Sequence, residues 1–480
     1  MTKRKKIIVI AGAAVILVAL AISALFCVMK DKETTGGDFS GLSWTQAFQK
    51  LNQTMADEYA FTQWKGINWQ ELYDKYRPQI ESAQAKNSFE DYYIALRSYL
   101  NEIPDGHVRM NNIADIDDKY IGGGFGFAAA RLDNGKIIVT WVDQSGPAYD
   151  AGIRAGDELT EWNGQPIANA VETVSTVFAG TSATDEYLRQ KQLAYLVRAP
   201  VGTEISLSVI SPDSGRKRSL TLTAYNDNKQ SLKKNYPNSV VSDKLRDMFL
   251  GHENPDPEPE SIVEKKIIGG NICYIKLWAE FDADLQQTGK AVSTLSLMRE
   301  AVAYANENKC AGMILDIRNN MGGLDDMAAD ILGLFYPEKT LYEYQKVYGS
   351  DQLTALYIQP AEQRFTGKII ALINSKCVSS GEGLAMGIKN LPNGETLGFF
   401  GTNGSFGLAG SEVKMPGGIT VEFPSGQSLD KNKSIQLDSR NGIGGVSPSI
   451  RIPMTEQNAI RIAGGEDVEL DDALRILTGN

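Results

Sequence analysis

The spacing of hydrophobic residues divides most of this chain into three regions with different patterns. From Ser43 to Asn101, apolar and aromatic residues recur three and four positions apart, which predicts amphipathic helices. Between about residues 118 and 225, short apolar runs alternate with glycine-containing turns, a pattern typical of β-strands. Farther along, apolar runs such as Ile272–Leu277 and Gly312–Ile317 alternate with helical patterns. That alternation predicts an α/β unit.

Together these patterns predict a chain of mixed α/β and α+β class with several domains. The predicted segments are a basic cluster with a transmembrane anchor (1–30), a linker (31–42), a helical N-terminal domain (43–117), a β-domain (118–225), a second linker (226–262) and an α/β core (263–480). Within the β-domain, residues 169–195 are expected to form a helical insertion.

The N-terminal apolar segment runs from Ile7 to Met29 without a charged residue. As a helix it would be roughly 34 Å long, enough to cross a bilayer. The basic run Lys3–Lys6 before it predicts a cytoplasmic N-terminus and an extracytoplasmic body. The alternative is a signal peptide cleaved after Ala24. The apolar run continues past that position, which favours an uncleaved single-pass anchor in the cell membrane.

Composition narrows the possible partners. The chain has 480 residues, of which 42% are hydrophobic and 22% are charged, and its net charge is −11. Because the body is acidic, nucleic acid is not expected as a partner. The four cysteines and two histidines form no cluster with metal-ligand spacing. We therefore expect neither a metal nor a cofactor.

The β-domain contains a long ordered motif. A glycine-rich run, Gly122–Phe127, is followed by Ser145–Leu159, which includes Gly-Pro-Ala and Ala-Gly-Ile, and by Trp162–Ile167 with Asn-Gly. This order resembles a PDZ domain. The resemblance implies a loop of free amides that binds a peptide carboxylate, beside an open strand edge. The loop residues implied are Gly123, Gly124, Phe125, Gly126 and Phe127.

The core contains a serine at a turn between a strand and a helix. The apolar run Ile369–Ile373 ends at Asn374, and a helical pattern begins after Ser379 and Ser380. The first amides of a helix have no partner inside it. A serine oxygen placed there can attack a carbonyl while nearby amides hold the negative charge.

Three separated motifs resemble peptidase family S41, the C-terminal processing peptidases and their tricorn-like relatives. They are Asp-Gly-His at 105–107, Leu-Asp-Ile-Arg-Asn-Asn-Met-Gly-Gly at 315–323 and Ser-Ser-Gly-Glu at 379–382, with the PDZ pattern between the first two. The resemblance implies a ClpP/crotonase-like protease core. It makes Ser379 the nucleophile, or Ser380 if the register slips by one. The implied oxyanion hole is the amide of Ser380 with that of Gly322 or Gly323.

The general base departs from the processing peptidases, in which a lysine fills this role. Leu408 stands at the lysine position and cannot accept a proton. The tricorn-like branch uses a histidine instead, and His107 lies in the matching motif. A histidine can accept a proton near neutral pH. Asp438 is the nearest carboxylate to the place of the family's acid, and it either orients His107 or is a solvated turn residue.

Two functions follow from these residues. The first is a membrane-anchored extracytoplasmic serine endopeptidase that binds the apolar C-terminus of a protein through its PDZ domain and cleaves it. The second is a non-catalytic pseudo-protease that uses the PDZ domain and the cleft as a protein-binding scaffold. The two differ in whether His107 reaches Ser379.

Overall fold

The computed structural model describes residues 36–235, 261–283, 285 and 290–479. The predicted anchor and the central part of the second linker lie outside these ranges. Among the helices inside them, none combines the length and the apolar character needed to cross a bilayer. The membrane anchor therefore stays a prediction from the sequence.

The described ranges contain helices in all three regions. They are α1 (Trp44–Glu58), α2 (Thr62–Lys65), α3 (Trp69–Lys86), α4 (Phe89–Asn101), α5 (Ala114–Ile121), α6 (Pro147–Asp150), α7 (Ile167–Glu172), α8 (Asp185–Leu196), α9 (Gln230–Lys233), α10 (Thr294–Glu307), α11 (Asp325–Leu332), α12 (Ser380–Lys389), α13 (Glu456–Ala463) and α14 (Val468–Thr478).

The strands of the described ranges form three larger sheets and a short pair. They are β1 (Gly36–Asp38), β2 (Arg109–Met110), β3 (Gly123–Gly124), β4 (Phe127–Arg131), β5 (Ile137–Val142), β6 (Glu158–Trp162), β7 (Gln165–Pro166), β8 (Arg198–Ala199), β9 (Glu204–Ile210), β10 (Lys217–Thr223), β11 (Val263–Ile268), β12 (Ile272–Leu277), β13 (Gly312–Asp316), β14 (Thr340–Val347), β15 (Leu353–Ile358), β16 (Lys368–Leu372), β17 (Gly394–Gly398), β18 (Leu408–Met415), β19 (Ile419–Leu429) and β20 (Ile450–Arg451).

The core sheet has the strand order β11-β12-β13-β16-β17-β20. All neighbours in it are parallel except β11 and β12. Helices α10, α11 and α12 connect its strands, so the core is the α/β unit that the sequence predicts. Because β13 and β16 are parallel neighbours, their carboxyl ends meet at one edge of the sheet, where binding sites of α/β folds lie.

The N-terminal helices pack against a second sheet, of order β1-β18-β19-β14-β15. Phe48, Leu51 and Tyr92 share one buried cluster with Val413 and Val421 of β18 and β19. Strand β2 pairs with β19. The region predicted as a separate helical domain thus shares a hydrophobic core with strands that follow it by some 300 residues.

Both predicted linkers are partly folded. Gly36–Asp38, expected in the first linker, pairs in parallel with Glu412–Lys414 of β18. In the second, Asp227 forms a buried ion pair with Arg198 at 2.6 Å. That buried pair fixes residues just after β10 against the β-domain, so the composition of this stretch underestimated its order.

The β-domain is a sheet of order β10-β9-β6-β5-β4, with β4 as an edge strand in the described ranges. The insertion expected to be helical over 169–195 consists of α7 and α8 joined by residues 173–184, which are not helical. The β4–β5 hairpin packs on the α/β core, where Leu132 and Ile138 share a cluster with Ile370.

Arg318 holds the C-terminal helix α14 to the core sheet, because its fully buried guanidinium pairs with three carboxylates. It donates to Asp316 at 2.6 Å, to Asp467 at 2.7 Å and to Glu469 at 2.8 Å. Removing one partner of a buried ion pair leaves uncompensated charge and costs about 3–5 kcal/mol.

We expect Arg318→Met to lower the free energy of unfolding by about 3–5 kcal/mol, measured by urea denaturation. The matched control is Arg451→Met, which removes the half-exposed pair with Asp133. An exposed pair is worth about 0–1 kcal/mol. Equal losses in the two variants would contradict the role assigned to Arg318.

Candidate active site

Ser379 occupies the turn between β16 and α12, as the sequence predicts. Its φ of 59° and ψ of −133° place a non-glycine residue in a rarely populated conformation. Such a conformation costs about 1–3 kcal/mol and persists only where the surroundings hold it. Two backbone hydrogen bonds do so: Val378 N donates to Asn320 O at 3.0 Å, and Ser379 N donates to Ser405 O at 3.1 Å. The turn leaves Ser379 partly exposed at the start of the helix.

Ser380 is excluded as an alternative nucleophile. Its side chain is fully buried, and its Oγ donates to Glu280 Oε2 at 2.7 Å. Its backbone amide, at the first position of α12, has no acceptor among the described residues. The amide of Ser380 is therefore available to an oxyanion.

The two glycines after β13 have different roles. Gly322 N donates to Asn320 Oδ1 at 2.9 Å, so this amide is already occupied. Gly323 N has no acceptor in the described part of the chain. A Cβ on Gly322 would lie 2.6 Å from Ser379 Cβ. The structure thus makes Gly322 the residue that allows close approach to Ser379, and Gly323 the source of the second free amide.

Glu280 contacts residues at both free amides, those of Ser380 and Gly323. The sequence did not indicate this residue. Its carboxylate accepts from Ser380 Oγ and, at 2.6 Å, from Asn320 Nδ2. Its backbone N donates to Gly322 O at 3.1 Å, and its O accepts from Leu324 N at 2.8 Å. Burial raises the pKa of Glu280 to about 7. Glu280 lies three residues after β12 and outside the three motifs of the sequence, so no pattern marked it.

His107 is brought to the core by the pairing of β2 with β19. The residue before it, Gly106, donates its amide to Ser405 Oγ at 2.7 Å. The carbonyl of the same Ser405 accepts from Ser379 N. The turn that carries His107 and the turn that carries Ser379 thus both contact Ser405, although they lie far apart along the chain.

The carboxylate beside His107 is Asp105, two residues earlier. His107 Nδ1 lies 3.7 Å from Asp105 Oδ1, and His107 N donates to the same oxygen at 2.9 Å. Tyr59 donates its hydroxyl to Asp105 Oδ2 at 2.8 Å and fixes the carboxylate. Burial lowers the pKa of His107, and the nearby charge of Asp105 opposes that shift. The neutral imidazole, which can accept a proton, is therefore favoured.

Asp438 does not pair with His107, contrary to one reading of the sequence, and it is not a solvated turn residue either. It is buried, with Oδ1 at 3.0 Å from Lys65 Nζ and Oδ2 accepting from Phe406 N at 2.9 Å. Burial raises the pKa of Asp438, and the Lys65 ammonium opposes that shift. Helix α2 supplies a cation here that the local sequence around Asp438 could not reveal.

Lys65 lies near this site, although Leu408 occupies the family's lysine position. Leu408 begins β18 and pairs with Gly426. The Lys65 ammonium donates to Pro104 O and Ser439 Oγ, both at 2.9 Å, in addition to its pair with Asp438. An ammonium has three donors. Because the ammonium makes two hydrogen bonds and an ion pair, Lys65 is held in place as a cation, and His107 is left as the candidate base.

Glu382, the last residue of the Ser-Ser-Gly-Glu motif, organises the loop that carries Ser405. Its buried carboxylate accepts from Thr402 Oγ1 at 2.6 Å, Gly404 N at 2.8 Å and Ser405 N at 2.9 Å. Burial raises the pKa of Glu382 to about 8, and these donors oppose the shift. Glu382 therefore supports both Ser379 and Gly106 through Ser405.

The glycine-rich loop of the β-domain offers two free amides. Gly124 is paired with Tyr225 by two backbone hydrogen bonds of 2.9 Å. The amides of Phe125 and Gly126 have no acceptor within the described ranges. Gly126 adopts a φ of +80°, which glycine accommodates without strain. Phe125 and Phe127 are fully buried in the domain core, so their side chains are not available to a ligand.

Known families match three parts of the chain. Residues 271–452 match Peptidase family S41, residues 41–92 match the Tricorn protease C1 domain, and residues 124–210 match the PDZ domain. The chain contains a peptidase S41 domain, formed by residues 271–452. It is accordingly a serine-type peptidase with a PDZ domain. The candidate catalytic segments Gly322–Gly323 and Ser379–Glu382 lie inside the matched residues.

Solved structures similar to this S41 peptidase share its fold. Mature CPAF complexed with lactacystin is 13% identical, with a TM-score of 0.63, over 91% of this chain and 99% of that one. A putative peptidase from Parabacteroides merdae is 17% identical, with a TM-score of 0.51, over 91% of this chain and 97% of that one. No curated protein sequence matches the chain significantly. In the described part of the chain, no group of His, Cys, Asp and Glu side chains is arranged to hold a metal.

Proposed function

We propose that this S41 peptidase is a membrane-anchored, extracytoplasmic endopeptidase that binds the C-terminal tails of proteins through its PDZ domain and cleaves them through an acyl-enzyme on Ser379. One observation supports the catalytic part above all others. Ser405 contacts both the Ser379 turn and the turn that carries His107, beside two backbone amides without acceptors. This shared contact supports the proposal that a nucleophile, a base and an oxyanion site act together here.

The chemistry follows from these groups. His107 takes the proton of Ser379 Oγ as that oxygen forms a bond to the carbonyl carbon of the substrate. The amides of Ser380 and Gly323 stabilise the resulting oxyanion. His107 then gives its proton to the leaving amine as the peptide bond breaks. Water, activated by the same histidine, releases the acyl group from Ser379.

Two features of the β-domain support binding of a C-terminus. The free amides of Phe125 and Gly126 suit a carboxylate, and the edge strand β4 can accept an added peptide strand. Helix α8 packs along β4. We propose an apolar tail as the ligand, since the similarity to a PDZ domain implies that class of peptide. The anchor proposal rests on the charge-free run from Ile7 to Met29 and the basic residues before it.

The test of this function uses the full chain in detergent micelles and an unfolded protein substrate with an apolar C-terminus. One version of the substrate has a free carboxylate, and the other is amidated. The proposal predicts that both versions are cleaved at internal peptide bonds. The amidated version should be cleaved more slowly, because it lacks the carboxylate that the PDZ loop binds. Retained tail binding without any cleavage would favour the pseudo-protease. Equal cleavage of both substrates would contradict recognition of the carboxylate.

The pKa of His107 is expected to lie below the ordinary value of about 6.5, because burial disfavours the imidazolium. A base works in its neutral form, so activity is lost as the pH falls through this pKa and is retained above it. A lysine base would instead require a higher pH.

The measurement is NMR of the chain labelled at its two histidines, with His252→Ala assigning the signals. The acid limb of kcat/KM should coincide with the titration of His107. An acid limb of kcat/KM that lies above pH 7 and does not coincide with the titration of His107 would contradict its role as the base.

A further inference from the structure

The non-helical segment 173–184 leaves the PDZ domain and lies against the N-terminal helices. Arg97 Nε donates to Val177 O at 3.1 Å, and the ring of Tyr120 stacks on that of Phe178 with centroids 5.1 Å apart. These contacts hold the segment beside α4 and α5. From there it reaches the turn that carries His107.

Thr181 makes the contact at that turn. Its Oγ1 lies 2.5 Å from Asp105 O and 3.0 Å from Val108 O, and it donates its hydroxyl proton between these two carbonyls. Asp105 and Val108 flank Gly106 and His107 on either side. Thr181 is itself buried, so its hydroxyl connects both ends of the turn away from solvent.

The PDZ helix α8 holds Thr181 from the other side. Lys191 on α8 donates its ammonium to Thr181 O at 2.5 Å and to Gly180 O at 3.3 Å. At the start of the same helix, Asp185 N donates to Gly442 O at 2.9 Å, and Glu186 accepts from Gly401 N at 2.8 Å. The helix thus contacts the loop that contains Ser405 as well as the segment that holds the His107 turn.

We propose that Thr181 is a positioning residue for His107, through which the PDZ domain sets the placement of the catalytic base. The proposal rests on the proposed role of His107. It needs no contact between Thr181 and substrate, because the hydroxyl acts on the backbone on both sides of the histidine. A misplacement of about 1 Å in a catalytic group can cost about 100-fold in rate.

The experiment compares Thr181→Val, Thr181→Ser and Thr176→Val in the full chain. Valine keeps the shape of threonine without the hydroxyl, and serine keeps the hydroxyl. Thr176 is the matched control, since it is equally buried in the same segment and its Oγ1 contacts Asn101. Measurements are kcat and KM on a peptide, the thermal unfolding temperature, and the rate at which a fluorophosphonate modifies Ser379 as a function of pH.

We expect Thr181→Val to lower kcat and the fluorophosphonate rate by about 10- to 100-fold, with little change in KM. Thr181→Ser should restore most of the rate, and Thr176→Val should leave kcat within about threefold of the original chain while losing similar thermal stability. A Thr181→Val rate within about threefold of the original would overturn the proposal.

If Thr181→Val does not fold, Lys191→Met decides, because it removes the support of Thr181 from α8. A lowered kcat with unchanged KM supports the proposal, and an unchanged kcat overturns it. The failure of the proposed function is a separate result: His107→Ala would then retain full activity, whatever Thr181→Val does.

Discussion

Replacing Ser379 with alanine is expected to lower kcat by about 10⁶-fold, and replacing His107 with alanine should cost nearly as much. The reason is that the two side chains act as one unit, in which the hydroxyl is a poor nucleophile until a base takes its proton. For the same reason the double variant should be no slower than either single one. Rates are measured on a peptide under saturating conditions, with full-chain protein.

The chain offers a matched control for each substitution. His252 is the only other histidine of the sequence, so His252→Ala tests the effect of removing a histidine as such. Ser98→Ala removes a hydroxyl that donates to its own helix at Ile94 O. Both controls should keep full activity. A fully active His107→Ala beside an inactive Ser379→Ala would indicate another base and refute the serine–histidine pair.

Gly323→Ala is expected to lower kcat by about 10²–10³-fold, with a smaller effect on KM. A Cβ at this position would lie 2.2 Å from the carbonyl oxygen of Glu280, which cannot yield because it belongs to the backbone. The amide of Gly323 would therefore shift away from the position where the oxyanion forms. Since the amide acts on charge that develops in the transition state, the loss should appear in kcat.

The control for this substitution is Gly41→Ala, because a Cβ there meets no atom within 4 Å. Circular dichroism melts of both variants establish that they fold. Binding of a peptide aldehyde, which mimics the tetrahedral adduct, should weaken with the loss of kcat in Gly323→Ala. A normal kcat in a folded Gly323→Ala protein would remove this amide from the oxyanion site.

The Glu280 network gives these expectations a common structural basis. The buried carboxylate of Glu280 contacts Ser380 and Asn320, and the backbone of Glu280 is hydrogen-bonded to Gly322 and Leu324. Both free amides therefore depend on the same residue. A substitution at Gly323 should therefore act on the rate through the oxyanion amide, because a Cβ there meets the backbone of Glu280 and not Ser379.

Local sequence was sufficient for the elements that carry the site. The apolar run before Asn374, followed by serine and glycine, predicted the strand, the turn and the helix around Ser379. The pair Gly322–Gly323 came instead from the resemblance to family S41, through the motif at 315–323. These features are encoded by residues close together in the chain, since periodicity and turn chemistry act over a few positions.

Partners in the site could not be predicted in this way. The sequence left Ser379 and Ser380 both open as nucleophiles, and Glu280 excluded the second by burying its hydroxyl. It left Gly322 and Gly323 both open as amide donors, and Asn320 occupied the first. The contact from Glu280 joins residues 100 positions apart, whereas Asn320 is only two residues before Gly322 and its hydrogen bond was visible only in the folded turn.

The sequence by itself therefore determined the class of the fold, the PDZ and S41 motifs, and the two segments that carry Ser379 and His107. Only the tertiary structure decided that Asp105 stands beside His107 while Lys65 holds Asp438, and that Thr181 of the PDZ insertion reaches the histidine turn. The physical reason is that a hydrogen bond or ion pair depends on distances of about 3 Å, which arise when strands such as β2 and β19 pair across hundreds of residues.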